Sequence, residues 1–375
     1  MHDILQNNTS RCATQVPYIN NKERNSSVEL LRIIAMFLIV QSHFAVHGYM
    51  ALLDGSLSAV DNSFNRFLIT AMTTGNIGNG LFMLITGYFM STSKEFKKSR
   101  LVRIFIQVLL YSLLCYVVYT CVFGDYVFNL KDIFVAITPL SHDTYWYFSS
   151  YVLILLFYPF INILTNELNQ KKLGLLICLM SVVWGIIPSV TGRRFQGSSF
   201  LVFCNFYLIG AYIKKYYVKG LGFISYDNIS LFNKKNIQIL TYVSIILWFV
   251  LALITAYFTP FYRIVYMGSP LVFLLSIFLF LLFINNNINY SRIINVTAGC
   301  VAGVYLLSDN PYIRSILYSR VFKVDRFLES NTMLLHILLF SLITLILCVL
   351  IEFVRSRLFD SLFKLLINSR KGKEV

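Results

Sequence analysis

A chain of 375 residues that is 57% hydrophobic and 13% charged falls outside the composition of soluble domains, where about a quarter of residues carry charge. Its formal net charge of +15 is spread over short connections between apolar runs, which argues against a nucleic-acid-binding surface. The fold class expected is all-α, a polytopic integral membrane protein.

Residues 1–27 are polar, have no apolar core and run straight into a full-length apolar stretch, so they read as an N-terminal tail and not a cleavable signal peptide. Apolar runs long enough to cross a ~30 Å hydrocarbon core then predict ten helices within 28–355. They lie at about 28–47, 64–91, 101–123, 146–164, 173–190, 198–216, 237–258, 268–286, 293–310 and 333–355. The second is expected to break at Gly75 to Gly80, and the ninth is interrupted by Gly299 and Gly303. Residues 356–375 form a basic tail. Alternating sides place 22 Lys and Arg residues on the side of the N-terminus and 9 on the other, with Arg32 inside the first span. By the positive-inside rule both termini are cytoplasmic, and the protein is expected in a bacterial cytoplasmic membrane. Seven cysteines form no CxxC pair and read as packing residues.

The first span carries Arg32 and His43, eleven residues apart. Eleven helical steps return almost to the starting face and rise roughly 16 Å. Polar groups at such depth cost about 2.5–3.5 kcal/mol on insertion scales, so they face a cavity or perform chemistry. His43 is the candidate base, because histidine accepts and returns a proton near neutral pH. A hydrogen-bonded core histidine is the plainer alternative. Glu29, three residues before Arg32, can pair with it. His47 lies one turn beyond His43, but no Asp, Glu or Cys nearby completes a ligand set, so no metal is expected.

In the second span Asn76 and Asn79 can donate to a substrate oxygen, and Gly78 and Gly80 permit the close approach of a thin substrate arm; close helix packing is the competing reading. At the foot of the third, Arg100 and Arg103 fall on nearly one face, suited to phosphate groups by their bidentate forks or to a mere topology anchor. His142 and Asp143 precede Trp146 in a loop on the opposite side, where a solvated loop is the alternative. His47, His142, Trp146 and Asp309 are further candidates for contacting a substrate. His2 and His336 carry no signal. No Walker sequence or GxGxxG is present, which argues against an ATP-driven pump.

Several segments resemble the membrane acyltransferase-3 family, bacterial multi-pass enzymes that O-acetylate surface polysaccharides and related glycans. The run from Asn25 to Phe44 is similar to the family's opening, with its Arg and His falling on Arg32 and His43. Gly80 to Phe89 resembles its second-helix signature, and Arg100-Leu-Val-Arg103 its Arg-x-x-Arg pair. Tyr145 to Asn162, Asn205 to Tyr212 and Gly303 to Asn310 are similar to later segments. Ser149-Ser150-Tyr151 stands where many relatives have an acidic residue, and Ser308, followed by Asp309, where some have histidine.

The resemblance implies an O-acetyltransferase. Arg32 and His43 would serve catalysis, with Arg100, Arg103, Asn76 and Asn79 on acetyl-CoA as donor. The acceptor would be a sugar hydroxyl of a cell-surface polysaccharide or its lipid-linked precursor. Direct transfer and an acetylated His43 both remain open. A glycan or solute transporter or flippase would share the composition, but the paired halves common in transporters are not visible. A scaffolding component would leave the Arg32–His43 register unexplained.

Overall fold

A computed structural model describes residues 25–53, 56–93, 96, 98–123, 129–142, 144–193, 198–217, 233–258, 265–286 and 288–371. The predicted loop positions Asp54, Lys94, Lys97 and Asp143, and most of the predicted N-terminal tail, lie outside these residues. Among the described residues every regular element is helical and none is a strand.

Helix α1 (Ser26–His43) starts at Asn25, whose side chain accepts from the backbone N–H groups of Ser27 at 2.9 Å and Val28 at 3.4 Å. This satisfies donors that a helix start leaves unpaired. From Phe44 to Met50 the helix widens to a π-helical stretch, a local geometry that recurs at functional sites. Then follow α2 (Ser63–Ala71), α3 (Gly75–Met90), α4 (Lys98–Phe123), α5 (Leu130–Ile137), α6 (Trp146–Glu167), α7 (Gln170–Ser181), α8 (Ile187–Thr191) and α9 (Ser198–Tyr212). The remainder comprises α10 (Lys234–Phe258), α11 (Pro270–Ile284), α12 (Arg292–Gly299), α13 (Val301–Ser308), α14 (Pro311–Ile316) and α15 (Met333–Lys371).

Among the described residues, seven helical segments are long and apolar enough to cross a membrane: Ser26–Met50, Ser63–Met90, Lys98–Val122, Trp146–Glu167, Gln170–Thr191, Lys234–Tyr257 and Met333–Phe359. The protein is therefore a multi-pass membrane protein, with the count of ten not reached on that measure. The other three predicted spans correspond to α9, the 15-residue α11, and the pair α12 and α13 separated at Cys300. The last helix continues to Lys371, so much of the predicted C-terminal tail is helical.

The break in the second span lies at Met72 to Thr74, just before the predicted glycine run. Gly75 to Gly80 instead form the first turns of α3, because packing covers the surface their missing side chains expose. Gly78 abuts Ala35 and Ile39 of α1, and Gly80 abuts Phe206 of α9 and Ser276 of α11. At the break, Thr74 donates its hydroxyl to the Leu38 carbonyl at 3.0 Å, and Trp248 donates its indole N–H to the Ala71 carbonyl at 2.9 Å. Irregular backbone at membrane depth needs such partners.

Helix α3 is the central post, packed on α1, α9 and α11. Gly87 lies against the Tyr207 backbone and Gly210 against the Leu84 carbonyl, so α3 and α9 meet backbone to backbone. At one end of the molecule, Ser26 Oγ accepts from the Ser291 N–H at 2.9 Å and from Asn295 at 3.2 Å. At the other end, Tyr49 and His336 Nδ1 are 2.8 Å apart, and His336 Nε2 donates to the Phe322 carbonyl at 2.9 Å. His336 is thus a hydrogen-bonded core histidine that ties α1 to α15. The two helices run antiparallel, and α15 returns to the side where α1 begins.

Candidate active site

Arg32 and His43 lie on α1 eleven residues apart, and the structure opens a cavity along that helix. It encloses about 220 Å³ and is lined by Arg32, Thr86, Arg100, Tyr147, Tyr151 and Tyr305, among others. Helices α1, α3, α4, α6, α12 and α13 all contribute to its wall. The two arginines belong to the end nearer the start of α1. Tyr305 belongs to the other, with its ring centroid 6.1 Å from that of His43. The partly apolar channel thus runs from the two arginines to Tyr305, and His43 stands behind that ring without lining the cavity itself.

Arg32 is half-buried, and its Nη1 meets both Glu29 oxygens, at 2.9 and 3.1 Å. The pairing with Glu29 is therefore real. It engages one of the guanidinium nitrogens, and five N–H donors leave capacity for a further anion. Arg100 is exposed, with its Nη1 2.9 Å from the Met90 sulfur, and no described carboxylate forms an ion pair with it. Arg103 is exposed as well but does not line the cavity. Three residues along a helix amount to a 60° offset, enough to turn it away.

At the far end, Asp309 gathers the polar groups. Helix α13 ends at Ser308 and α14 starts at Pro311, so Asp309 and Asn310 occupy a break. Asn310 caps α14 through the Tyr312 N–H at 3.0 Å and donates to the Tyr145 hydroxyl at 2.7 Å. Tyr145 in turn donates to the Leu306 carbonyl at 3.0 Å. This latch holds the Asp309 carboxylate, 1% exposed, against α1. Its Oδ1 lies 3.6 Å from His43 Nε2, 3.5 Å from His47 Nε2 and 3.2 Å from Arg314 Nη1. The same Arg314 nitrogen is 3.3 Å from His47 Nε2. His43 Nδ1 is buried, and no described group hydrogen-bonds it.

The expectation that no carboxylate completes a ligand set with His43 and His47 needs correction. Asp309 supplies one, and the three ligand atoms lie within 4.8 Å of one another. Sequence reasoning missed it because Asp309 and the histidines are remote in the chain and meet only through the break before α14. The cation that meets these atoms is the Arg314 guanidinium, which a metal ion would have to displace.

Not all predicted residues converge. Asn76 donates to the Val265 carbonyl at 2.6 Å, and Asn79 donates to Asn76 at 3.4 Å. Neither lines the cavity, and Gly78 and Gly80 are buried in helix contacts. His142 is exposed and contacts Thr138 Oγ1 at 3.0 Å, and Trp146 packs on Phe203 with ring centroids 6.1 Å apart. Arg314, Tyr147 and Tyr305 were not singled out by the sequence. In the sequence Arg314 is only one of the nine cations opposite the N-terminal side; Pro311, at the start of the helix beside Asp309, is the available signal.

No curated protein and no solved structure matches the chain. A family model described as an acyltransferase domain matches residues 25–353, a stretch that takes in Arg32, His43, Arg100, Asp309 and Arg314. On that match the chain belongs to the acyltransferase-3 family and is a membrane acyltransferase.

Proposed function

We propose that this protein is an O-acetyltransferase, moving an acetyl group from cytoplasmic acetyl-CoA to a sugar hydroxyl of a cell-surface polysaccharide or its lipid-linked precursor. The observation that carries this reading is the single cavity with Arg32 and Arg100 at one end and Tyr305 beside His43 at the other. A long substrate with an anionic tail and a reactive tip suits such a space, and a thioester of coenzyme A has that form.

Transfer requires a base for the sugar hydroxyl and an orienting group for that base. His43 fills the first role. As the hydroxyl oxygen bonds to the thioester carbonyl carbon, His43 takes the hydroxyl proton; the carbon–sulfur bond breaks, and the proton passes to the departing thiolate. Asp309 fills the second: its Oδ1 lies 3.6 Å from His43 Nε2, and a few tenths of an ångström of closure in the loaded site lets it accept from Nε2–H, which fixes the tautomer and leaves Nδ1 with the lone pair. Arg314 neutralises Asp309, so the carboxylate holds the ring without drawing the proton away. Arg32 and Arg100 hold the donor's phosphates by charge-assisted hydrogen bonds. His47 and Arg314, both about one-third exposed at the side chain, face the acceptor.

The Lys- and Arg-rich side faces the cytoplasm in this scheme, which sets the donor mouth there and the Asp309 cluster toward the outer leaflet. The test compares the acetyl-ester content of surface glycan from cells carrying the wild-type gene, no gene, and His43→Ala. Acetylation that needs the gene and fails with His43→Ala supports the scheme. Full acetylation with His43→Ala rules it out.

A further inference from the structure

Next to the channel lies a second cavity that the transfer chemistry does not use. It encloses about 330 Å³, within the range of small-molecule sites, roughly 300–1,000 Å³. Its wall includes Met90, Ser93, Phe96, Arg100, Leu155 and Tyr158. The three helices that build it also build the channel, about one turn away. Helix α3 gives Phe89 and Met90 here but Ile85 and Thr86 there; α4 gives Leu101 here and Ile104 there; α6 gives Leu155 here and Tyr151 there. Arg100 lines both. The cavity thus continues the channel toward the face where α1 begins, and the guanidinium stands at the junction.

The wall is fixed. Asn162, 4% exposed, donates to the carbonyls of Met90 at 2.8 Å and Ser93 at 2.9 Å. Its own oxygen accepts from the Tyr207 hydroxyl at 2.8 Å. The turn after α3 is therefore latched to α6 and α9. Phe96 and Tyr158 present rings only 26° from parallel, with centroids 6.4 Å apart, a pair of aligned π-faces beside a polarisable methionine sulfur.

We propose that this cavity seats the purine base of a nucleotide-bearing thioester. Resting on the acetyl-transfer reading, this adds to it a seat for the base end of the coenzyme A donor, which pantetheine borne by a carrier protein lacks. Flat bases stack on aromatic side chains whatever their hydrogen-bonding edge. A base on Phe96 and Tyr158 places the adjoining phosphates at Arg100, and the pantetheine arm then enters the channel past Arg32 toward His43. Pantetheine on a carrier protein has one phosphodiester and no base, and would leave the aromatic cavity empty.

The test uses the full chain purified in nanodiscs, titrated calorimetrically with coenzyme A and with 4′-phosphopantetheine. Phe96 is partly exposed, at 37%, so Phe96→Ala keeps the fold, and Phe96→Trp keeps a stacking face. Wild type should prefer coenzyme A. Phe96→Ala should weaken coenzyme A about tenfold or more, a loss typical of one stacked base, while 4′-phosphopantetheine binding stays unchanged. Phe96→Trp should restore the preference. Unaltered coenzyme A affinity in Phe96→Ala, or equal loss for both ligands, overturns the purine seat. Acetyl transfer from acetyl-CoA that continues in that case leaves the transfer reading standing, whereas a wild type that binds neither ligand removes both.

Discussion

Asp309→Asn removes one charge and almost no volume, and so separates orientation from packing. The carboxylate oxygen meets Arg314 at 3.2 Å, His47 at 3.5 Å and His43 at 3.6 Å. A charge-assisted hydrogen bond is worth about 1.5–3 kcal/mol. Arg314 has 31% of its side chain exposed, so water takes up much of the loss, and the amide oxygen still accepts. The stability cost should be about 1 kcal/mol, closer to a surface pair than a buried one. Turnover should suffer more. A positioned base contributes about 10²–10⁴-fold, and an amide no longer selects the tautomer or stabilises the charged ring. We expect kcat to fall by roughly 10–10³-fold, with KM for acetyl-CoA nearly unchanged because Arg32 and Arg100 lie at the other end of the channel. Initial rates in nanodiscs against acetyl-CoA, alongside thermal melting, read both quantities. Asp309→Glu, which keeps the charge, should recover part of the rate. Wild-type turnover in Asp309→Asn would refute the role, as would a higher KM at unchanged kcat.

Further outcomes follow from the same geometry. His43→Ala should abolish transfer while acetyl-CoA binding persists; His47→Ala should be milder and act on acceptor use, read from glycan acetyl content and donor titration. Arg100→Ala should raise KM for acetyl-CoA about tenfold or more through loss of a charge-assisted contact, while Arg103→Ala, outside the cavity, should change it little; equal effects would return Arg103 to the site. Gly87→Ala should cost about 1–3 kcal/mol by overpacking, because the added methyl meets the Tyr207 backbone, and melting without loss would mean that α3 and α9 can separate. Cysteines at Arg193 and Lys234 should be labelled from outside and inside respectively; the reverse would invert the donor path.

What the sequence made legible is what lies within one helix. Arg32 and His43 share a face by helical periodicity alone, and the cavity follows α1 from Arg32 to Ile39, one turn short of His43. Arg100 needed only its place at the foot of α4. Contacts across the chain were hidden: Asp309 reaches His43 because Tyr145 and Asn310 fix the break after α13, and no local pattern encodes that. The glycine run in the second span misled for a related reason. Glycine weakens an isolated helix, by about 1 kcal/mol each, but here Ala35, Ile39 and Phe206 fill the space beside it, and the break moves to the Met72–Thr74 turn. His336 shows the converse, a lone histidine whose structural role emerges only when Tyr49 and Phe322 arrive from other segments.

Two interrupted spans flank the same stretch of α1, and this bears on how the site is built. The Met72–Thr74 break meets α1 at Leu38, and Gly75 lies against Ser42; the Asp309–Asn310 break meets it at His43 and His47. The second of these contacts spans the point where the helix widens into π geometry, directly after His43 and before His47. Interrupted backbone inside a bilayer persists only where protein or a cavity satisfies it. Here Thr74, Trp248, Asn310 and Tyr145 supply the partners. Continuous helices would carry Asp309 past the level of the histidines as one more turn of an apolar span. Ending α13 there turns a buried carboxylate toward α1, with Arg314 close enough to balance it. The irregularities are therefore what bring a carboxylate, two imidazoles and a guanidinium together.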